Sequence, residues 1–246
     1  MWKDVVGLVL VLVALIGLGY GVREVTVRDY VDQLEGPRAR ELYMESLAIG
    51  RDTGDSILQG NLFLNLGLLT EEEGDLERAR SLMQESLATF RSIDYPIGIA
   101  LVLLNLGNTA VDQANLTEAQ AYFQESLALF RGLGDLATAS YPLFGLGKVA
   151  LARGDTIGAR RLYTESLKLR QETGELRPIP RNLNGLGEID RVEGRPERAA
   201  RLFGAAEAMR ETLGTPIMPV YATSHEREVS ALRVALGEVR FVEEWQ

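Results

Sequence analysis

The 246-residue chain has no cysteine and a single histidine, His225. Without a thiol there is no cysteine nucleophile, no cysteine-ligated metal and no disulfide. With one imidazole, neither a histidine-based metal site nor a Ser-His-Asp triad has its parts. The lack of disulfides does not fix the compartment, because a disulfide-free protein can live anywhere. Lysine is scarce as well: Lys3, Lys148 and Lys168 stand beside 23 Arg, and the 26 basic residues are outnumbered by 35 acidic ones. A formal charge of -9 argues against a nucleic-acid binder held by phosphate contacts. A phosphate loop is missing too. Gly145-Leu146-Gly147-Lys148 has the Gly-Lys pair, but Pro142 and Val149 stand where that loop needs a Gly and a Ser or Thr. Glu71-Glu72-Glu73 reads as a solvated helix end, Asn115-Leu116-Thr117 as a turn and cap before it reads as a glycosylation sequon, and His225 as a residue at a helix N-terminus. No constellation names a reaction, so the chain is expected to be non-enzymatic, with no cofactor and no metal.

Long apolar runs are absent after residue 22 and present before it. Val5 to Val22 is uncharged throughout and as a helix would span roughly 27 Å, close to the hydrocarbon thickness of a bilayer. Lys3 alone precedes it, whereas Arg23, Arg28, Arg38 and Arg40 follow, which places the bulk of the chain on the cytoplasmic side. Three readings stay open: a membrane anchor over residues 1–22, a cleaved signal peptide using the small-x-small pair Gly19 and Gly21, and a core helix or misassigned start. The anchor is the expectation adopted here, with a soluble cytoplasmic protein as the alternative.

What the rest of the chain has in abundance is self-similarity. Glu-Ser-Leu recurs at 45–47, 85–87, 125–127 and 165–167, a period of 40. In the same frame Ala39, Ala79, Ala119, Ala159 and Ala199 form one column, and Tyr43, Met83, Phe123, Tyr163 and Phe203 another. Ser46, Ser86, Ser126, Ser166 and Ala206 form a third, and a Leu-Gly pair recurs at 66–67, 106–107, 146–147 and 186–187. Each unit resolves into two helices. Between Glu77 and Arg91, Ala79, Leu82, Met83, Ser86, Leu87 and Phe90 fall on one helical stripe. Gly74-Asp75, Gly154-Asp155 and Asn115 supply turns and caps, with Asn115 and Glu118 as a capping box. Between units lie Gly54-Asp55, Asp94, Gly134-Asp135, Gly174-Glu175 and Gly214-Thr215, with Pro96 and Pro216 at first-turn positions. The Leu-Gly helix pays about 1 kcal/mol for its glycine relative to alanine, so close approach of the partner helix is the simplest reason for the recurrence.

These columns resemble the tetratricopeptide repeat, over about Pro37 to Leu213, in the 40-residue form of kinesin light chains and cell-polarity adaptors. The resemblance implies an all-α, right-handed solenoid of antiparallel helix pairs whose first helices line a concave groove, here preceded by the N-terminal hydrophobic helix. The expected layout is a degenerate cap helix over 23–36, about four and a half repeats over 37–214, and a capping helix or helices over 215–246. Within that cap, Thr223 to Leu236 is expected as one helix, with Thr223 and Glu226 as a capping box and Val229, Leu232, Ala235 and Leu236 on one face. The C-terminal stretch from Arg198 onward is also similar to the ends of large bacterial ATP-dependent regulators, including LuxR-type activators.

The resemblance implies a groove partner, an extended peptide or protein segment. Asn65 and Asn105 precede their Leu-Gly pairs, Gly145 and Gly185 replace them in later units, and Leu68, Asn108, Lys148 and Glu188 follow the pairs. In the resembled adaptors Asn at such places pairs with a peptide backbone, and an amide both donates and accepts, so it can do so whatever the side chain. Asn184 could join this partial ladder. The alternative, hydrogen bonding that satisfies buried groups between helices, stays open. Leu64, Leu104, Tyr141 and Phe144 form either a groove floor or plain packing between units. A carboxylate clamp is not expected, since only Lys148 and Arg181 offer positive charge. The candidate groove residues are therefore Asn65, Leu68, Asn105, Asn108, Tyr141, Phe144, Lys148, Arg181, Asn184 and Glu188. Two functions fit: a scaffold or adaptor that binds a protein or peptide, with membrane attachment through Val5 to Val22, and a sensory or self-associating fragment of an ATP-dependent regulator. Neither contacts nucleic acid directly.

Overall fold

The computed structural model describes residues 36–217 and 219–245, with backbone only at 219–221. The apolar run Val5 to Val22 and the expected cap helix before Gly36 lie outside the described residues. Among the described residues there are eleven α-helices and no strand. They are α1 (Gly36–Thr53), α2 (Ser56–Glu72), α3 (Leu76–Ser92), α4 (Pro96–Asp112), α5 (Leu116–Gly132), α6 (Leu136–Ala152), α7 (Thr156–Thr173), α8 (Ile179–Val192), α9 (Pro196–Leu213), α10 (Pro219–Leu236) and α11 (Glu238–Trp245). No helix among them is long and apolar enough to cross a membrane. The chain divides into two compact units, residues 1–109 and 110–246.

The sequence columns are a packing code. Ala79, Ala119, Ala159 and Ala199 are fully buried, as are Met83, Phe123, Tyr163 and Phe203, each exposed by no more than 1%. The glycine of the Leu-Gly pair makes room for this large residue. A Cβ built on Gly67 would lie 2.9 Å from Met83, one on Gly147 2.5 Å from the Tyr163 ring, and one on Gly187 2.7 Å from the Phe203 ring. The serine column ties a second helix to the first: Ser86 Oγ donates to the Gly60 carbonyl at 2.6 Å, and Ser166 Oγ to the Ser140 carbonyl at 2.7 Å. A hydroxyl that meets a carbonyl inside an apolar interface fixes the register of the pair.

Turns recur every 20 residues. Gly54, Gly74, Gly134, Gly154, Gly174, Gly194 and Gly214 all take positive φ, and the same slot is held by Asp94 at 51° and Ala114 at 59°. Asp55, Asp75, Asp135 and Asp155, which follow such glycines, accept from the backbone three residues on, and Asn115 does the same for the Glu118 N–H while its amide donates to the Glu118 carboxylate at 2.7 Å. Asn115 is thus the expected N-cap, but the reciprocal bond of a capping box is not made: the Asn115 backbone N–H donates to the Ala110 carbonyl, and Glu118 accepts from the side-chain amide instead. An alanine in the left-handed region costs roughly 1–2 kcal/mol. Ala114→Gly is expected to raise stability by about 1 kcal/mol, seen as a melting temperature about 2–4 °C higher by calorimetry.

Within the first unit, Ala39, Tyr43, Leu47, Leu58, Leu62, Phe63 and Leu66 form one core cluster. The acidic run at the end of α2 is not merely solvated: Glu71 accepts from Thr109 Oγ1 at 2.6 Å, and Glu73 pairs with Arg40 of α1. Leu64 is buried, so it belongs to the packing and not to an open floor.

In the second unit, α6 packs on α5 and α7, and α8 on α7 and α9. Asp190 of α8 has no exposed side-chain surface and meets Arg160 of α7 at 2.6 Å and Arg195 and Arg198, beside and within α9, at 2.7 and 3.0 Å. After α9 the pattern departs from expectation. Pro216 opens no helix; α10 begins at Pro219, so Thr223 lies a turn inside it and is no cap. A proline with its preset φ opens α10, consistent with proline's preference for the first helical turn. Val229, Leu232 and Leu236 pack with Phe203, Phe241 and Trp245, whereas Ala235 is exposed. The short α11 closes on α9 so tightly that a Cβ on Gly204 would lie 2.0 Å from the Trp245 carbonyl oxygen.

Candidate functional site

The second unit holds a cavity of about 510 Å³, a size suited to a ligand of drug-like dimensions. It is walled by the end of α4, by α6, α7, α8 and α9, by residues 215–217 and by α10. Five candidate groove residues converge on it: Phe144 and Lys148 from α6, and Arg181, Asn184 and Glu188 from α8. Their spacing explains this, because residues three, four or seven apart share one helix face. Asn65, Leu68, Asn105 and Asn108 belong to the first unit, and Tyr141 is not on the cavity wall.

The asparagines do not all behave alike. Asn105 donates to the Leu101 carbonyl of its own helix at 2.9 Å. Asn108 is exposed. At the corresponding places of the second unit, a Cβ on Gly145 would lie 2.5 Å from the Phe123 ring, and one on Gly185 2.6 Å from the Tyr163 ring. These positions face the second helix of the preceding repeat, so their glycines are packing residues and the Gly145-Leu-Gly147-Lys148 run is plain helix.

Aromatic rings meet at the wall in two pairs. Phe144 and Tyr163 lie 5.1 Å apart by ring centroids, and Phe203 and His225 5.6 Å apart. His225 is therefore no helix-end decoration. It sits within α10, facing Phe203, with Nδ1 3.4 Å from the Asn184 amide nitrogen, and burial holds its pKa below the usual histidine value. Positive charge is more plentiful than the sequence suggested, since Arg177 and Arg210 join Lys148 and Arg181. Asp112 and Glu188 are the carboxylates on the wall. Arg210 also pairs with Glu207 at 3.0 Å, and Arg181 lies over the Phe144 ring.

Burial, and next the neighbouring Glu228 carboxylate, push the Glu188 pKa up to about 7, against the lowering pull of Arg191, Lys148 and Arg227. A carboxyl whose pKa is raised on folding keeps its full contribution below about pH 4.5, and loses it as the pH climbs through 7. Each pKa unit is worth about 1.4 kcal/mol, and partial exposure of Glu188 reduces the total to roughly 2 kcal/mol. Glu188→Gln should match the wild type in urea unfolding at pH 5 and exceed it by about 2 kcal/mol at pH 8. His225 titrates in the opposite sense in both proteins, so the difference between them isolates Glu188.

One functional element escaped the sequence reading. Arg170 of α7 is 1% exposed. Its guanidinium lies 5.0 Å from the Tyr141 ring and 5.6 Å from the Phe144 ring, and donates to Ser140 Oγ at 3.2 Å, to the Pro178 carbonyl at 2.8 Å and to the Asn182 side chain. Burial pulls its pKa down to about 10. Tyr141 is thus a stacking partner of Arg170. The α8 helix starts without a side-chain cap, and Arg170 takes over the task of fixing that start, from which Arg181, Asn184 and Glu188 are displayed. A signal was present: in the 40-residue frame Arg170 and Arg210 stand where Phe90 and Phe130 stand, and Phe90 and Phe130 are fully buried.

Comparisons with known proteins agree with this architecture. The tetratricopeptide-repeat family model matches residues 98–172. No curated protein matches the sequence. Among solved structures, BtubC (BKLC) from P. vanneervenii is similar with a TM-score of 0.65 at 18% identity, covering 78% of this chain and 79% of that one. A Podosopora anserina putative kinesin light chain with TPR-like repeats gives 0.59 at 14% identity, over 77% and 93% of the two chains. Pseudomonas aeruginosa pilF gives 0.56 at 16% identity, over 99% and 98%. At such identities the likeness speaks for the fold alone. The repeat units found at a period of 40 thus include tetratricopeptide repeats over residues 98–172, set in an all-helical fold of the tetratricopeptide-repeat type.

Proposed function

We propose that the protein is a non-catalytic interaction module that holds an extended segment of a protein partner against the face where α6 and α8 of the second unit lie side by side. Tetratricopeptide repeats generally mediate protein–protein interaction. The observation that carries the choice of face is the convergence of Phe144, Lys148, Arg181, Asn184 and Glu188 on one cavity, while Asn105 is occupied within its own helix. Aromatic walls and a few placed polar groups are what a specific recognition site requires.

The test is a quantitative pull-down with the full-length protein, run separately on membrane and soluble fractions, because Val5 to Val22 leads us to expect the protein with the membranes. Lys148→Ala with Asn184→Ala should reduce partner recovery at least tenfold, and Asn105→Ala with Asn108→Ala should not. Loss of partners only with the second pair would overturn the choice of face. A second reading, the ligand-sensing part of an ATP-dependent regulator, is favoured by one observation: residues 215–217 and α10 complete the cavity wall, as a pocket for a small molecule requires.

A further inference from the structure

Buried polar atoms without partners are rare in folded proteins, and each calls for an explanation. Among the described residues two side-chain atoms of this kind, Asn184 Oδ1 and Thr215 Oγ1, belong to residues of the cavity wall. The Asn184 amide nitrogen already faces His225. Its oxygen is left as a buried acceptor, and an acceptor can be satisfied only by a donor brought by something else. The same cavity is lined by the partly exposed rings of Phe144 and His225, with the buried rings of Tyr163 and Phe203 behind them, a surface that suits a flat apolar body. Lys148, Arg177, Arg181 and Arg210 line the same cavity against Asp112 and Glu188, so cations outnumber carboxylates two to one, and planar guanidinium groups match a carboxylate well.

We propose that this cavity is a binding site for a small aromatic carboxylic acid that also carries a hydroxyl or N–H donor, the carboxylate facing the arginines, the ring between the aromatic walls and the donor on Asn184 Oδ1. This goes beyond the partner reading and does not depend on it. A small molecule suits the space, because helices and the 215–217 segment wall it from α4 round to α10. The raised pKa of Glu188 keeps much of that carboxyl neutral near pH 7, which lowers its repulsion of an anionic ligand.

Isothermal titration of the full-length protein with three probes tests the assignment: 4-hydroxyphenylacetate, phenylacetate, which lacks the donor, and 4-hydroxyphenylethanol, which lacks the carboxylate. The hydroxy acid should bind, and each of the other two about tenfold or more weakly, since a site built around a hydrogen bond rejects the analogue without it. Asn184→Ala should erase the difference between the two acids. Arg177→Ala, on an exposed side chain, should weaken both acids and leave the alcohol unchanged. No heat from the hydroxy acid at about 10 mM, where even an inefficient ligand of this size is bound, would mean that ordered water alone satisfies Asn184 and would overturn the proposal. Equal binding of all three probes would do so too, as would displacement of the hydroxy acid by a tyrosine-ended pentapeptide of higher affinity.

Discussion

Arg170→Ala is expected to lower the stability of the second unit by about 3–5 kcal/mol, read as a fall of about 10 °C or more in its calorimetric transition. The magnitude follows from what the guanidinium does. It is buried at 1% exposure, stacks on Tyr141 and Phe144, and donates to Ser140, Pro178 and Asn182. Truncation would leave a void and strand the Pro178 carbonyl and the Asn182 side-chain oxygen away from water. Arg170→Lys should recover little, because an ammonium on a flexible stem cannot reproduce a planar fork between two rings. The loss would also reach the cavity, since the start of α8 is held by Arg170 and by Asn182, whose amide donates to the Tyr163 carbonyl at 3.0 Å. An Arg170→Ala variant with unchanged melting and unchanged ligand or partner binding would show that the cluster is incidental.

Gly185→Asn is the second large effect, and its sign separates two accounts of the asparagine column. If the later repeats merely lack a member of a binding ladder, restoring Asn should strengthen binding at no structural cost. The packing predicts otherwise. A Cβ at residue 185 would lie 2.6 Å from the Tyr163 ring, and Tyr163 is 1% exposed, with its hydroxyl held well above the usual tyrosine pKa range by burial. Overpacking of this kind costs about 3 kcal/mol, so thermal unfolding should begin several degrees earlier and binding should weaken. Gly145→Asn, facing Phe123 at 2.5 Å, should behave alike.

The repeat frame was legible because packing inside a solenoid is nearly one-dimensional and imposes the same demand every 40 residues. Ala79, Met83, Ser86 and Gly67 could be assigned to a tight helix pair from recurrence alone, and their burial matches. Recurrence identifies what is shared, and a site is made by what is not. Arg170 was visible as an Arg in a Phe column, yet sequence could not say that it would stack on Tyr141 and fix the start of α8. Asn184 lines the cavity together with Arg181 and Glu188 of the same helix, as helical spacing puts it. Thr215 and His225 had no such guide, because the period ends at Gly214 and the approach of α10 to Phe203 is a tertiary fact without a local signature. Asn105, in a repeating slot, donates its amide N–H to a carbonyl one turn back in its own helix, a bond that recurrence does not announce.

The account's central claim is that the α6 and α8 face of the second unit is where the protein recognises its partner. Hydrogen exchange on the full-length protein, alone and saturated with the partner recovered by the wild type and lost from the Lys148→Ala, Asn184→Ala variant, tests it most directly. The account predicts slowed exchange concentrated at residues 141–148 and 181–188. Protection confined to α1, α2 and α3, with those two stretches unchanged, would contradict it.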